Sequence, residues 1–275
     1  MNKNIDEEVV NDFGQEWDNY KQMTNEVYLD EAFDQYFHLL PEKYLDKNKI
    51  GFDAGCGSGR WAKYIAPKVK LLHCFDPSEK ALKVAMKNLS EYTNCIFECC
   101  SINSSNIKDA SMDFGYCLGV LHHIPDTKKA LLGCTAKLKK DAPLLIYLYY
   151  RFDNKPFWFK LIWKITDYIR RFICLLPFGL KLFLSKIIAT LIYFPLAKMS
   201  CFLEKLKFDV SNIPLSYYRS KSFYFMCTDA LDRFGTKLEK RFTKSEIVSL
   251  MQECGLHSIR FSKNSPFHVA IGFKK

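Results

Sequence analysis

A glycine-rich turn between a short apolar strand and a helix is the feature that most limits how this chain can fold. The turn is DAGCGSG at residues 53–59, and the apolar residues 50–53 that lead into it are typical of a buried strand. Glycine at such a turn adopts backbone angles that other residues avoid, and it lets a ligand approach the backbone closely. The turn therefore predicts a ligand site at the end of a strand.

The spacing of the three glycines separates this turn from two phosphate-binding patterns. A dinucleotide-binding turn has the spacing Gly-x-Gly-x-x-Gly, and its third glycine would stand where this chain has Arg60. A phosphate-binding loop ends in Gly-Lys-Ser or Gly-Lys-Thr, which the turn lacks. The observed Gly-x-Gly-x-Gly spacing favours a ligand that has a nucleoside but no pyrophosphate.

Alternating strands and helices across residues 49–150 predict a mostly parallel sheet built from βαβ units. We expect strands at residues 50–53, 70–75, 95–98, 113–118 and 144–150, and helices from about residue 60, from 76 to about 90, and at 126–139. The composition supports a folded domain, since 48% of the residues are hydrophobic and 25% are charged. The predicted fold class is therefore α/β.

The last part of the chain predicts an antiparallel ending for this sheet. A capping box at residues 243–246 begins a helix that ends at Gly255. Strands are expected at residues 258–262 and 268–273, and the short loop between them requires an antiparallel pair. Polar residues at 229–235 are expected to form a loop near the carboxyl edge of the sheet.

Positive charge is concentrated in residues 151–227. This segment has 13 Lys and Arg against four Asp and Glu, a net charge of +9, and the whole chain has +10. Its longest apolar run, 187–197, is shorter than the roughly 20 residues that a membrane span needs, so a spanning helix is not expected. A helix over 157–172 would have a wide apolar face beside a polar stripe. The stripe consists of Lys160, Lys164, Asp167 and Arg171.

Three regions follow from these patterns. Residues 1–47 form an N-terminal helical segment, residues 48–150 and 228–275 form the α/β domain, and residues 151–227 form a basic, aromatic-rich helical insertion. The insertion could be a lid packed on the domain, a membrane-surface helix or a wall for a hydrophobic acceptor.

Two further absences limit the function classes. The 11 cysteines are scattered and include no Cys-x-x-Cys pair, so we expect neither a metal site nor a disulfide framework. Residues 1–11 are polar and acidic, without the apolar stretch of a signal peptide, and we therefore expect a cytoplasmic protein.

The glycine-rich turn resembles motif I of the class I S-adenosylmethionine-dependent methyltransferases. Asp76 follows the second strand, where that family places an acid on the ribose hydroxyls, and Ser101 follows the third strand in place of the family's common Asp. The segment DFGYCLGVLHHIPD at residues 113–126 resembles the fourth-strand motif of the methyltransferase-11 and ubiquinone/menaquinone-type branches. The resemblance covers about residues 12–150, and the last helix and hairpin fit the family's sheet.

The resemblance implies a Rossmann-like sheet of seven strands with an antiparallel last strand, a helical insertion, and S-adenosylmethionine as cofactor. The cofactor-binding residues that it implies are Trp17, Tyr20, Asp53, Gly55, Cys56, Gly57, Gly59, Asp76, Pro77, Ser101, Ile102 and Leu118. His122 and His123 are candidate catalytic bases, because histidine exchanges protons near neutral pH. A core role for Trp17 and a structural role for either histidine stay open.

The implied activity is methyl transfer to a small-molecule or lipid-like acceptor. Oxygen is the favoured acceptor atom because His122 and His123 offer a base, and carbon and nitrogen remain open. The basic insertion favours an acceptor with a phosphate or carboxylate, and it allows peripheral membrane contact through residues 151–207. A noncatalytic cofactor-binding or interaction protein with a methyltransferase fold is one alternative.

A nucleic-acid methyltransferase is the other alternative. It would usually carry an Asn/Asp-Pro-Pro-Tyr/Phe-like motif after the fourth strand, where residues 118–123 read LGVLHH. No nucleic-acid partner is expected, because no recognition module is visible.

Overall fold

A computed structural model describes residues 4–19, 26–153, 155–263 and 268–275. The chain divides into two compact units. The first, called the α/β unit here, comprises Met1–Arg151 and Leu238–Lys275, and the second, the helical unit, comprises Phe152–Lys237.

The α/β unit is built around one seven-stranded sheet within the described residues. Its strands are β1 (Ile50–Ala54), β2 (Leu71–Asp76), β3 (Cys95–Cys99), β4 (Phe114–Leu118), β5 (Pro143–Tyr147), β6 (Leu256–Phe261) and β7 (Val269–Lys274). Its helices are α1 (Glu7–Asn19), α2 (Glu26–Phe37), α3 (Ala62–Ile65), α4 (Glu79–Asn88), α5 (Thr127–Lys137) and α10 (Lys244–Glu253).

The strand order is β3-β2-β1-β4-β5-β7-β6. Strands β1 to β5 pair in parallel, and β7 lies antiparallel between β5 and β6. The predicted seven-stranded α/β sheet with an antiparallel last strand is therefore confirmed. The chain order reverses between β1 and β4, and a parallel sheet binds its ligand at the carboxyl ends of strands around such a point.

Short polar signals begin the helices that flank the sheet. The Ser78 side chain accepts a hydrogen bond from the Ala81 N–H at the start of α4, and Asp126 does the same for Lys129 at the start of α5. Thr243 and Glu246 form the capping box predicted for α10. Such caps satisfy N–H groups that the first helical turn leaves unpaired, so they fix where each helix begins.

The core of the α/β unit lies on both faces of the sheet. Phe52, Leu144 and Ile146 belong to one buried cluster, whereas Phe114 and Leu145 belong to the other. Neighbouring residues of β5 thus point to opposite faces, as the pleat of a strand requires. Both faces of the central strands are covered, which holds their carboxyl ends in fixed positions.

The helical unit contains α6 (Phe157–Ile173), α7 (Phe178–Ile188), α8 (Phe194–Lys205) and α9 (Phe223–Gly235) among its described residues. A π-helical turn at Ala189–Tyr193 joins α7 to α8, so Phe178–Lys205 forms one continuous helix of 28 residues. Pro195 lies in the first turn of α8 and has no N–H to donate to the preceding turn, which accounts for the wider turn there.

Three sequence-based expectations differ from the structure. The helical unit extends to Lys237, ten residues beyond the expected boundary at 227. The loop expected at 229–235 is wrong, because those residues complete α9. Phe178–Lys205 is also long and apolar enough to cross a membrane by length and composition alone, although 28% of its most apolar window is buried. Its lysines divide the sequence into apolar runs too short to span a membrane, whereas the helix is continuous through them.

Candidate functional site

The glycine-rich turn connects the carboxyl end of β1 to α3 beside β2. Gly55, Gly57 and Gly59 all have positive φ angles, of 75°, 54° and 77°. The N–H groups of Gly55 and Cys56 donate to the Phe75 carbonyl at 2.8 and 3.1 Å. Non-glycine residues would be strained at these angles, and the hydrogen bonds hold the turn against β2.

Trp17 of α1 lies against this turn. A Cβ atom added to Gly57 would lie 3.1–3.2 Å from the Trp17 indole ring, so the turn and the ring are in close contact. The Arg60 guanidinium also lies 5.8 Å from the Trp17 ring centroid. The structure therefore brings Trp17 to the predicted site. Tyr20 lies outside the described residues.

Asp76 joins the glycine-rich turn to the start of α4. Its two carboxylate oxygens accept hydrogen bonds from the N–H groups of Gly57 at 3.0 Å and Ser78 at 2.8 Å. Burial raises the pKa of Asp76 to about 6, although both N–H groups oppose this shift. At neutral pH the carboxylate is ionised, oriented, and able to accept further hydrogen bonds from vicinal hydroxyls.

Asp53, near the end of β1, is the second buried carboxyl group of the same site. Burial raises the pKa of Asp53 to about 8, and the Tyr116 hydroxyl opposes this shift. Its Oδ2 atom has no hydrogen-bond partner among the described residues. Asp53 is consequently protonated in most molecules at neutral pH, which lets it donate a hydrogen bond from within the core.

An open space lies beside the carboxyl end of β4. Gly119 follows Leu118 with a φ angle of 80°, and a Cβ atom added there would meet no atom within 4 Å. This space, the glycine-rich turn and the Asp76 carboxylate lie at the carboxyl ends of β1, β2 and β4. Together they fit a nucleoside cofactor such as S-adenosylmethionine.

The other predicted cofactor residues lie on loops and strand ends of the same unit. Cys56 and Ile102 are buried, Leu118 ends β4, and Pro77 follows Asp76 directly. The Ser101 hydroxyl lies 2.9 Å from the Ser104 hydroxyl. All 11 cysteines are free thiols. Among the described residues, no cluster of three or more His, Cys, Asp or Glu side chains is arranged to hold a metal ion.

His122 and His123 follow β4, and both are buried. The ring of His123 has Nδ1 at 2.7 Å from the Leu238 carbonyl, so the backbone fixes its orientation. His122 differs, because neither of its ring nitrogens has a hydrogen-bond partner within the described residues. Burial lowers the pKa of His122 well below its usual range, and nearby His123 and Arg241 lower it further. His122 is therefore neutral at physiological pH, and both of its ring nitrogens are buried without a hydrogen-bond partner among the described residues.

Residues that the sequence argument did not single out surround His122. Its ring stacks on Tyr149 with centroids 3.8 Å apart, and the Arg241 guanidinium lies 5.2 Å from the Tyr149 ring centroid. Arg241 Nε also donates to Glu239 Oε1 at 2.7 Å. Two sequence features could have indicated these residues. One is the YLYY segment at 147–150, at the end of the fifth strand, and the other is the group of charged residues just before the capping box.

This arrangement can support proton transfer beside a bound nucleoside cofactor. Leaving a buried polar group without a partner costs about 1–3 kcal/mol, so a purely structural role gives no reason for two unpaired nitrogens on His122. A hydroxyl group of a bound molecule would satisfy one of them. Burial is the main cause that lowers the pKa of His122 and keeps it neutral before a ligand binds, and the nearby Arg241 guanidinium, which pairs with Glu239, acts in the same direction.

Comparisons with known proteins agree with this geometry. Residues 52–146 match the family described as Methyltransferase domain. A Ubiquinone biosynthesis O-methyltransferase from Idiomarina loihiensis is 33% identical over 89 residues, which are 32% of this chain and 37% of that protein. Its namesake from Coxiella burnetii is 24% identical over 151 residues, which are 52% of this chain and 62% of that protein. The chain thus spans less than two thirds of the length of these curated relatives.

Solved structures show the same fold at low sequence identity. A candidate methyltransferase from Bacillus halodurans is 14% identical with a TM-score of 0.53, over 84% of this chain and 72% of that chain. A chain of the Haloferax volcanii complex between the Trm112 methyltransferase activator and a candidate methyltransferase is 10% identical with a TM-score of 0.54. That match covers 94% of this chain and 96% of the other. At these identities the similarity concerns the fold alone.

Proposed function

We propose that this chain is a class I S-adenosylmethionine-dependent methyltransferase that methylates an oxygen atom of a small-molecule or lipid-like acceptor. The observation that supports an oxygen acceptor is His122, a buried neutral imidazole whose ring nitrogens have no partner among the described residues. Methylation of a hydroxyl requires loss of its proton, and a neutral imidazole can accept that proton.

The residues that would bind the cofactor lie mainly on the glycine-rich turn and at the end of β2. When bound, S-adenosylmethionine supplies a methyl group on an electrophilic sulfonium. Asp76 would accept hydrogen bonds from the ribose hydroxyls, while Trp17 and the glycines would line the methionine portion. Ser101, Ile102 and Leu118 would line the adenine. Because the chain holds these groups in place before binding, orientation contributes much of the rate.

The acceptor side follows from the pKa of His122, which is lowered well below its usual range. A weak base removes a proton most readily from an acidic hydroxyl, such as a phenol. The two curated relatives carry the name Ubiquinone biosynthesis O-methyltransferase, which supports an aromatic hydroxyl as the acceptor class. His123 is held by a backbone carbonyl and would position its neighbour.

The acceptor would also carry an anionic group. The insertion at residues 151–227 has a net charge of +9, and guanidinium and ammonium groups bind phosphates and carboxylates well. We place the enzyme in the cytoplasm. Carbon or nitrogen methylation becomes preferable only if His122 has no effect on turnover.

Incubation with deuteriomethyl-labelled cofactor tests the reaction. A cell extract is divided into aqueous and lipid-soluble fractions, and mass spectrometry identifies metabolites that acquire the labelled methyl group. We expect a labelled methyl ether on a hydroxylated aromatic or lipid-like anion. A labelled nucleic acid, or no labelled product in any fraction despite cofactor binding, would contradict the proposal.

With the acceptor identified, His122→Asn tests the base. A general base contributes about 10²–10⁴-fold, so kcat should fall within that range while the affinity for S-adenosylhomocysteine stays unchanged. His257→Asn, at a partly exposed histidine of β6, is the matched control. Unchanged kcat in His122→Asn would show that the acceptor loses its proton elsewhere.

A further inference from the structure

Exposed apolar side chains are concentrated in the helical unit. Of the 24 large hydrophobic side chains that are exposed among the described residues, 21 lie in Phe152–Lys237. Soluble proteins expose such residues singly, and a contiguous set marks an interaction surface. We call the set on α6 and on the long helix Phe178–Lys205 the outer face. It comprises Phe157, Trp158, Leu161, Ile162, Ile165, Tyr168, Ile169, Phe172, Leu180, Phe183, Ile187, Leu191, Ile192, Phe194, Met199 and Phe202.

Helix α6 has the reverse of the usual polarity. Phe157 and Phe172 are 81% and 70% exposed, whereas Arg170 is 6% exposed. Arg170 Nε donates to Asp167 Oδ1 at 2.7 Å, and its Nη1 donates to the Thr236 carbonyl at 2.9 Å. The helix therefore directs Asp167 and Arg170 into the helical unit and apolar rings away from it. An aqueous environment favours the opposite arrangement.

The long helix Phe178–Lys205 repeats this polarity. Lys181, Ser185 and Ser200 are buried, and the Ser185 and Ser200 hydroxyls have no hydrogen-bond partner within the part of the chain that the structure describes. Leu191, on the opposite side, is 69% exposed. Two successive helices thus present apolar outer sides and bury polar groups, which indicates an apolar partner for the outer face.

The topology of the chain excludes a membrane crossing by this helix alone. Both ends of the helical unit continue into the α/β unit, where β5 and β7 pair directly, so both ends lie on the same side of any membrane. If the helical unit crossed a membrane, it would therefore have to cross it an even number of times. Among the described residues only Phe178–Lys205 meets the length and composition of a span. Helix α6 carries five charged side chains in 17 residues, and α9 has only 13 residues.

Lysines border the outer face. Lys164, Lys186 and Lys198 are exposed on the same helices, and the insertion as a whole has a net charge of +9. Amphipathic helices with aromatic and aliphatic rings beside basic groups lie in the interface of a bilayer, where the rings enter the acyl boundary and the ammonium groups meet phosphates. This charge favours an anionic lipid surface over a second copy of a chain that is itself basic.

We propose that the outer face docks the helical unit in the interfacial layer of an anionic bilayer, without crossing it. This inference goes beyond methyl transfer and does not depend on the choice of acceptor. Both the apolar rings and the lysines are needed, because the rings supply burial and the lysines supply attraction to the lipid headgroups.

Flotation of the full chain with preformed vesicles tests the proposal. We expect binding to phosphatidylcholine vesicles that contain phosphatidylglycerol, weaker binding as salt is raised, and little binding to phosphatidylcholine alone. The variant Lys164→Gln/Lys186→Gln/Lys198→Gln should bind roughly 100-fold more weakly at low salt, at about fivefold per lysine. The control Lys70→Gln/Lys87→Gln/Lys140→Gln removes three exposed lysines of the α/β unit and should bind almost as wild type.

A second pair of variants tests the apolar component. Phe157→Ser/Phe172→Ser/Leu191→Ser should abolish vesicle binding. The control Met86→Ser/Ile96→Ser/Leu132→Ser alters three exposed apolar residues of the α/β unit and should not. Unchanged helical content by circular dichroism and an unchanged cooperative unfolding transition show that each variant is folded, since the altered residues lie in both units. The proposal is overturned if wild type does not bind anionic vesicles at low salt. It is also overturned if the Phe157 variant instead dissociates a stable dimer, which would make the outer face an interface between copies.

Discussion

At the scale of single residues, two carboxyl groups of one site have different protonation states. Asp76 is ionised at neutral pH because Gly57 and Ser78 donate hydrogen bonds to it, and its pKa is raised only to about 6. Asp53 lies deeper, and its pKa is raised to about 8. The same residue type is therefore an ionised acceptor at one position, where we propose that it binds the ribose hydroxyls, and a neutral donor at the other.

The raised pKa of Asp53 predicts a fold that weakens as pH rises. An unfolded Asp ionises near pH 3.9, whereas Asp53 in the fold ionises near pH 8, so the native state holds the extra proton between these values. The contribution of Asp53 to stability is complete below about pH 4 and is lost as pH rises through about 8. In this window it lowers the free energy of unfolding by up to about 1.4 kcal/mol per pH unit.

Urea denaturation from pH 5 to pH 8 measures this slope. Asp53→Asn keeps a neutral group in the core, so its slope should be flatter by up to about 1.4 kcal/mol per pH unit. Asp34→Asn, at an exposed position on α2, should retain the wild-type slope. Equal slopes for wild type and Asp53→Asn would mean that the buried carboxyl is ionised throughout.

Gly57 is the glycine of the turn that lies against the Trp17 ring. A valine there would adopt a φ angle of 54° and press its Cβ atom against the Trp17 ring at 3.1 Å. Left-handed geometry alone costs roughly 1–2 kcal/mol, so Gly57→Val should weaken S-adenosylhomocysteine binding about tenfold or more by calorimetry. Gly179→Val is the control, since a Cβ atom at Gly179 would meet nothing within 4 Å. Equal affinities in wild type and Gly57→Val would contradict the assignment of the turn.

At the scale of elements, the sequence predicts best where a local signal decides the structure. The capping box of Thr243 and Glu246 places the start of α10, because its hydrogen bonds form within four residues of chain. The strand alternation and the short last loop likewise determine the sheet and its antiparallel β7. The positive-φ glycines locate the cofactor turn for the same reason.

Elements that depend on distant contacts were not predictable in this way. The periodicity of α6 separates an apolar side from a polar stripe but does not say which side faces inward, and Asp167 turns inward because Arg170 and Arg233 pair with it. The surroundings of His122 come from Tyr149 and Arg241, which are more than 90 residues apart in sequence. Only the folded chain brings those segments together.

At the scale of the whole molecule, the α/β unit contains the seven-stranded sheet and the residues proposed to bind the cofactor, while the helical unit contains most of the exposed large hydrophobic side chains among the described residues. The two ends of the α/β unit that flank the insertion lie side by side. Tyr150 pairs with Phe242 in a parallel bridge, and the Arg151 N–H donates to the Phe242 carbonyl at 2.9 Å. A short connection between residues 151 and 238 is therefore geometrically possible.

Replacing Phe152–Lys237 with a short Gly-Ser linker separates the tasks of the two units. The shortened protein should unfold cooperatively and bind S-adenosylhomocysteine with nearly wild-type affinity, because the glycine-rich turn, Asp76 and the core on both faces of the sheet all remain. Vesicle binding should disappear, and turnover of the acceptor should fall about 10²-fold or more, since imprecise positioning alone has that effect. Loss of cofactor binding would show that the α/β unit needs the insertion to fold. Retained turnover would place the acceptor site wholly within the α/β unit, around His122 and Tyr149. Membrane binding would then be the one role proposed for the basic insertion.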